Sequence, residues 1–236
     1  MRIRPSDPTT KIPDADILLL PGRAALLPAS ATLLVADLHL GKAATFRSAG
    51  IPVPEGSAQG DLARLERLVH DTSARRLVIL GDLFHAKSGC TETVFAEFAA
   101  TRARFKATEV ILVVGNHDRA VGRIPSLLGI DSCVKTLDEP PFHFVHEPST
   151  GLSEPDRTCF TIGGHLHPTI AIRVPGGDRI AERCFVAEES LLVLPAFGSF
   201  TGGHRLEPAD GLRLWIARDD GVVDVTRLAL LAMRAT

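Results

Sequence analysis

Three continuous apolar runs, each breaking off into a cluster of polar residues, constrain this chain more than any other feature. Leu33-Leu34-Val35-Ala36 runs into Asp37-Leu38-His39, and Leu77-Val78-Ile79-Leu80 runs into Gly81-Asp82. Val110-Ile111-Leu112-Val113-Val114 ends in Gly115-Asn116-His117-Asp118. Runs without polar alternation fit strands buried on both faces, as in a parallel sheet covered on each side. In open α/β sheets ligands gather beyond the carboxyl ends of strands, so the polar clusters are expected to converge on one edge. Gly81 and Gly115 are expected to permit the sharp turns that aim Asp82 and Asn116 inward.

Helical patterns lie between these strands. Residues 57–72 put Leu62, Leu65, Leu68 and Val69 on one face behind Ser57 as N-cap. Residues 91–107 do the same with Val94, Phe95, Phe98 and Phe105 behind Thr91. The second half changes to short apolar runs at 142–145, 160–162, 170–174, 191–194, 212–216 and 222–225, separated by Gly, Pro and Asp. They predict a second sheet, largely antiparallel or mixed. The expected fold class is α/β with α+β character: two packed mixed β-sheets flanked by helices. A chain of 236 residues is expected to form a single domain over 1–236. Residues 1–14 should be a loose N-terminal lead-in and the Pro/Gly/Ser segment 148–156 a hairpin tip.

The second half also carries histidines at predicted strand ends, His146 and Gly164-His165-Leu166-His167-Pro168. Residues two apart in an extended segment point the same way, so His165 with His167, and Asp37 with His39, are expected to face one centre. Asp37, His39, Asp82, Asn116, His146, His165 and His167 then form an oxygen and imidazole ligand set without thiolate. Such a set suits Mn²⁺, Fe²⁺ or Zn²⁺ and disfavours structural zinc. It can serve two cations if one carboxylate bridges, and Asp82 is placed for that. A His-x-His pair alone is more often two residues of a strand. Three strand ends and two histidine blocks together are what point to metal.

Composition narrows the partners. A formal net charge of −2 supplies no global basic field for nucleic acid, although bound metals or a local patch would attract a polyanion. The apolar run Ile17–Leu20 is too short for a signal-peptide core, and no run approaches the length of a membrane span. Cys90, Cys133, Cys159 and Cys184 lie far apart with no CxxC pair, which fits neither a disulfide frame nor a zinc knuckle. A cytoplasmic protein without membrane contact is expected. The Arg-rich stretches 64–76 and 102–106 are expected on outer helix faces. Phe197 and Phe200 would either stack on a base or pin a Gly-rich loop.

The blocks Asp37-x-His39, Gly81-Asp82, Gly115-Asn116-His117-Asp118, His146 and Gly164-His165-x-His167 resemble the calcineurin-like metallophosphoesterase superfamily, over about residues 33–168. A narrower resemblance rests on Ala36-Asp37-Leu38-His39-Leu40-Gly41-Lys42, the loop 46–54, Gly81-Asp82-Leu83-Phe84-His85, and the late block 194–203. Together these look like the bacterial ligase-associated DNA-damage-response endonucleases (the PdeM group). The Asp-Leu-Phe-His segment is also similar to SbcD-type break-repair nucleases.

The resemblance implies a metallophosphoesterase sandwich and a two-metal-dependent phosphodiesterase. The activity it implies is that of a DNA endonuclease in DNA repair, beside an ATP-dependent DNA ligase, with Mn²⁺ the first choice of metal. It implies that Asp37, His39, Asp82 and His167 hold one ion and that Asp82, Asn116, His146 and His165 hold the other. It casts His117 as general acid, with Asp118 as its orienting partner. His85 is a candidate contact to phosphate or substrate. Lys42, Arg47 and Arg119, read as lying in loops beside the ligands, are either phosphate contacts or exposed charges. Two other functions stay open. One is a phosphodiesterase or phosphatase acting on nucleotides or cyclic nucleotides, favoured by the net charge and by having no Tyr and one Trp. The other is an inactive scaffold, although such proteins usually lose ligands. Selectivity is expected to rest on loops 40–56, 85–92, 147–157 and 196–205.

Overall fold

The computed structural model describes residues 10–12, 15–53, 57–148, 159–173, 179–218 and 220–234. Strands β1 (Thr10–Ile12), β2 (Ile17–Leu20), β3 (Ala24–Leu27), β4 (Thr32–Val35), β5 (Arg76–Leu80), β6 (Glu109–Val113) and β7 (Ser132–Val134) form one sheet in that order. Neighbours are antiparallel from β1 to β4 and parallel from β4 to β7. Helices α1 (Lys42–Ser48) and α2 (Ser57–Thr72) lead from β4 to β5, and α3 (Glu92–Arg104) leads from β5 to β6. The short α4 (Asn116–Val121) follows β6.

The second sheet contains β8 (Leu137–Glu139), β9 (Phe142–Phe144), β10 (Phe160–Gly163), β11 (Pro168–Arg173), β12 (Arg179–Glu188), β13 (Leu191–Val193), β14 (His204–Arg205), β15 (Arg213–Ala217) and β16 (Val222–Asp224). Its spatial order is β14-β11-β12-β13-β10-β9-β8, with β15 on β12 and β16 on β15. It is mixed, since β10 runs parallel to both β9 and β13 while β12 is antiparallel to β11, β13 and β15. Helix α5 (Thr226–Arg234) ends the described chain. No helix among the described residues is long and apolar enough to cross a membrane.

The period of two in the buried strands distributes their side chains between two cores. Leu33, Val35, Leu77, Ile79, Val110 and Leu112 pack on Leu62, Leu65, Phe98 and Phe105 of the α2/α3 layer. Leu34, Val78, Leu80, Ile111 and Val113 point the other way and meet Phe144, Ile162, Phe185, Leu192 and Trp215 of the second sheet. A third cluster joins Ile170, Cys184 and Ile216 to Val225 and Ala229 at α5. The result is four layers: helices, sheet, sheet, helix. Each fully buried Leu, Ile or Phe in these cores contributes about 1.5–3 kcal/mol, so the three strands that end in polar clusters are anchored on both faces.

Several elements differ from the sequence reading. Thr91 caps α3, its Oγ1 accepting from Val94 N at 3.3 Å, but the helix stops at Arg104 rather than 107. Residues 42–48, read as loop, form α1, which buries no residue and so lacks an amphipathic signature. Lys42 and Arg47 therefore sit on a helix, and Arg119 on α4. The β2–β3 hairpin, the ten-residue β12 and α5 were also not predicted. In β12 alternating Arg and Glu disguise a strand whose Cys184, Phe185 and Ala187 are buried. Within the expected lead-in, residues 10–12 form an edge strand on β2; residues 1–9, 13 and 14 lie outside the described residues, as does most of the expected hairpin tip 148–156. Arg64 and Arg102 are not on outer faces. Both are buried, and Arg102 hydrogen-bonds the Gly129 and Phe105 carbonyls at 2.8 Å.

Candidate metal centre

The strand ends do converge. β4 runs out at Val35 and the chain continues beside the end of β5, with Asp37 N donating to Gly81 O at 3.1 Å and His39 N to Asp82 O at 2.8 Å. Gly164 N donates to His146 O at 3.0 Å, and His165 N reaches across to Asp37 Oδ2 at 2.9 Å, tying the second sheet to the first.

The local geometry that aims the side chains is not the extended one that the two-residue spacing suggests. Asp37, His39, Asp82, His165 and His167 have φ of 56°, 48°, 49°, 68° and 45°, all in the left-handed region. Each such non-glycine conformation costs roughly 1–3 kcal/mol and persists only where the surroundings impose it. For Asp37, His39 and Asp82 the backbone bonds between the ends of β4 and β5 supply that imposition, for His165 its N–H bond to Asp37 Oδ2, and the clustering of strain marks this edge as a functional site. Gly81 turns as expected, with φ +78°, but Gly115 does not: its φ is −81°. It is needed for room instead, because a Cβ there would lie 2.2 Å from Asp82 Oδ1.

The side chains fall into adjoining clusters. Asp37, His39, Asp82 and His167 offer ligand atoms all within 4.8 Å of one another, as do Asp82, His146 and His165. Asn116 Oδ1 joins the second cluster, 2.9 Å from His146 Nε2. Asp82 belongs to both: its Oδ1 lies 3.4 Å from His146 Nε2 and its Oδ2 3.6 Å from His39 Nε2. His39, His85 and His117 form a third group on the His39 side.

Two observations show that these residues suit cations. Asp37 is fully buried and its Oδ1 has no hydrogen-bond partner, a costly state for a carboxylate. Moreover, His146 Nδ1 donates to the Leu80 carbonyl at 2.9 Å, so in the neutral ring Nε2 carries a lone pair. That lone pair faces Asn116 Oδ1 at 2.9 Å, His165 Nδ1 at 3.2 Å and Asp82 Oδ1. Such crowding of acceptors is resolved by a positive ion at their centre.

The protonation preferences diverge across the site. Burial drives His39 down to about 3, against the opposing pull of Asp82. Burial would also lower His146, but the hydrogen bond and charge of Asp82, with Asp37 behind, outweigh it and raise His146 above its ordinary 6.5. Burial favours protonated Asp82, yet His146 holds its carboxyl below the usual range. Burial, with Lys42 and His117 nearby, lowers His85 to about 4.

The remaining expected site residues divide. His117 Nδ1 meets the His85 carbonyl oxygen, not Asp118. Asp118 is spent on backbone, its oxygens accepting from Phe84 N at 3.1 Å and Gly115 N at 3.0 Å. The orienting partner of His117 is thus the His85 carbonyl, and Asp118 instead shapes the turn that carries Asn116. His85 contacts the ligand set, with its Nδ1 3.3 Å from His39 Nδ1. Lys42, half-buried, and Arg47, exposed, line a cavity beside His39. Arg119 is exposed and its guanidinium turns back to the Val114 carbonyl at 3.4 Å.

Asp61 was missed. Its carboxylate accepts from Ser199 N at 2.7 Å, Ser199 Oγ at 2.5 Å and Arg64 at 2.8 Å. Arg64 also covers the Phe197 ring at 4.2 Å. The network presses the late Gly-rich block onto the ligand strand, where Phe197 N and Gly198 N donate to the carbonyls of Ala36 and Asp37. Phe197 pins this loop, whereas Phe200 stays 38% exposed. The signal in the sequence was a charged pair, Asp61 and Arg64, at helical spacing beside the apolar face of 57–72.

A four-layer sandwich that pools buried carboxylates and imidazoles at its strand ends defines a class: metal-dependent phosphoesterases. No membership follows from geometry alone, but the residues at those ends fit a known family model. The chain belongs to the calcineurin-like phosphoesterases, whose model matches residues 31–182. It is 35% identical to the nuclease MPE of Pseudomonas putida, over 92% of this chain and 98% of that one, with a TM-score of 0.75. It shares 19% identity with a protein of unknown function from Aquifex aeolicus, over 58% of this chain and 78% of that one (TM-score 0.38). With the E. coli phosphoesterase Yfce it shares 16%, over 81% and 96% (TM-score 0.45). No curated protein matches it.

Proposed function

We propose that the protein is a two-metal-dependent phosphodiesterase that cuts nucleic acid. The observation that carries this reading is the division of Asp82, one oxygen toward His146 and the other toward His39. A cation pair about 3.5–4 Å apart needs such a bridging carboxylate. Asp37, His39, Asp82 and His167 would hold one ion, and Asp82, Asn116, His146 and His165 the other. When bound, the ions lower the pKa of water and neutralise charge on phosphoryl oxygens.

The chain's own groups supply orientation and a proton. The Leu80 carbonyl fixes the His146 ring with Nε2 toward the cluster. The His85 carbonyl holds His117 Nδ1, leaving Nε2, 3.9 Å from Asp82 Oδ2, to protonate the leaving oxygen. His85 and Lys42 stand beside His39, where a phosphate would meet them.

The 35% identity to a Pseudomonas putida nuclease supports nucleic acid as substrate. The resemblance of the motif blocks at 36–42, 46–54, 81–85 and 194–203 to the ligase-associated endonucleases favours Mn²⁺ as the working metal and DNA repair beside an ATP-dependent DNA ligase as the setting. The test is a panel of labelled single-stranded DNA, RNA and nucleotides, with Mn²⁺, against wild type and Asp82→Asn. DNA cleavage that falls steeply with salt, and drops about 10³-fold in Asp82→Asn, is expected. Hydrolysis confined to nucleotides would replace the nuclease by a small-molecule phosphodiesterase, and no hydrolysis at all would leave a scaffold.

A further inference from the structure

We infer that the cavity beside His39 is a nucleoside subsite, receiving the base and sugar next to the scissile phosphate. The inference rests on the phosphodiesterase reading above and names which part of the substrate the protein grips. The cavity encloses about 490 Å³, within the range of small-ligand pockets. His39 and Leu38 line it, so it adjoins the Asp37/His39/Asp82/His167 cluster directly.

Its walls suit a nucleoside better than a bare anion. Lys42 and Arg47 line it from α1, and burial lowers the pKa of Lys42. Glu97, however, lines the same cavity from α3 and would repel a second phosphate lodged inside. Glu97 Oε1 accepts from Gln59 Nε2 at 3.1 Å, so acceptor and donor stand side by side, as the edge of a base requires. Leu38, Leu40 and Val94 add apolar surface for a ring.

Phe200 is the strongest pointer. It lines the cavity at 38% exposure, on the loop clamped by Asp61 through Ser199 N and Oγ, with its ring edge-on to Phe46 at 5.6 Å. An exposed aromatic held rigid beside the phosphate-cutting residues contributes little to the core and offers a face on which a base stacks.

The experiment titrates a 5′-deoxynucleoside monophosphate and inorganic phosphate separately into the Mn²⁺-loaded protein by calorimetry. The nucleotide should bind at least about tenfold more tightly than phosphate. In Thr93→Trp, which fills the cavity, and in Phe200→Ala the advantage should shrink to about threefold or less, while Phe200→Tyr keeps it. Thermal melting and Mn²⁺ content report whether each variant folds, and either of the two disruptive variants suffices. Equal binding of the two probes by wild type, or an undiminished advantage in a folded Thr93→Trp or Phe200→Ala protein, overturns the subsite. A protein that cleaves diesters without a nucleotide preference loses the subsite alone. One that prefers the nucleotide but cleaves no diester loses the proposed function alone.

Discussion

Asp37 and Asp82 are buried to 0% and 1% exposure among imidazoles, a state that needs positive charge to be stable. On the proposed mechanism His117 is the group through which the chain itself moves a proton. His117→Ala should lower kcat about 10²–10⁴-fold on an alkoxide leaving group and far less on a nitrophenolate, with metal content unchanged; equal losses on both would remove the acid role. Gly115→Ala is a small change with a large expected effect, because its Cβ would sit 2.2 Å from Asp82 Oδ1. Metal analysis should show fewer than two ions per chain and activity should fall about 10²-fold, the effect of a displacement near 1 Å. The pH dependence of metal binding follows from His146. Its pKa is raised in the metal-free protein, so below that value an incoming ion must displace a proton. Affinity at the Asp82/Asn116/His146/His165 cluster should fall about tenfold per pH unit there. His39, held near 3 by burial, imposes no such loss on the other cluster until far lower pH. Calorimetric Mn²⁺ titrations between pH 8 and 5.5 should therefore show affinity at the His146 cluster falling with pH; a pH-independent affinity there would contradict this. At this scale ligand identities were legible as polar residues after apolar runs. Their left-handed backbones were not, since tertiary hydrogen bonds such as those between the ends of β4 and β5, and not local spacing, impose them.

Among the elements, α2 does two tasks. Leu62, Leu65 and Leu68 pack on the first sheet, while Asp61 and Arg64 clamp a loop about 135 residues away. Asp61→Ala would remove the carboxylate paired with buried Arg64, leaving it only the Phe197 carbonyl and ring and Ser199 Oγ, and free the Ser199 loop. A loss of roughly 3–5 kcal/mol, a fall in melting temperature of about 10 °C, is expected by calorimetry in the metal-free protein. A shift under 2 °C, far below that, would show that the clamp contributes little. Elements with an apolar stripe, such as α2 and α3, were readable because burial writes a period into sequence. α1 was not, because its packing runs through Gly41 against the Gly89 backbone, where a Cβ would meet Gly89 O at 2.2 Å. β12 was obscured by its Arg and Glu residues, and the role of the 194–203 block depends on contacts with Ala36 and Asp37 that only the folded chain makes.

For the molecule as a whole, the two sheets act as a clamp whose seam is the candidate metal centre. The first sheet contributes Asp37, His39, Asp82 and Asn116 at the ends of β4, β5 and β6; the second contributes His146, His165 and His167. Neither of the two proposed ion sites draws all its ligands from one half, so both form only when the sheets close on the Phe144, Phe185 and Trp215 core. The order of motifs made that meeting legible in outline, since strands of one sheet leave their carboxyl ends on one edge. The most direct test is anomalous diffraction from crystals soaked in Mn²⁺. The account predicts two peaks about 3.5–4 Å apart, both beside Asp82, with Asp37, His39 and His167 around one and Asn116, His146 and His165 around the other. A single peak, or peaks lying away from Asp82, would contradict it.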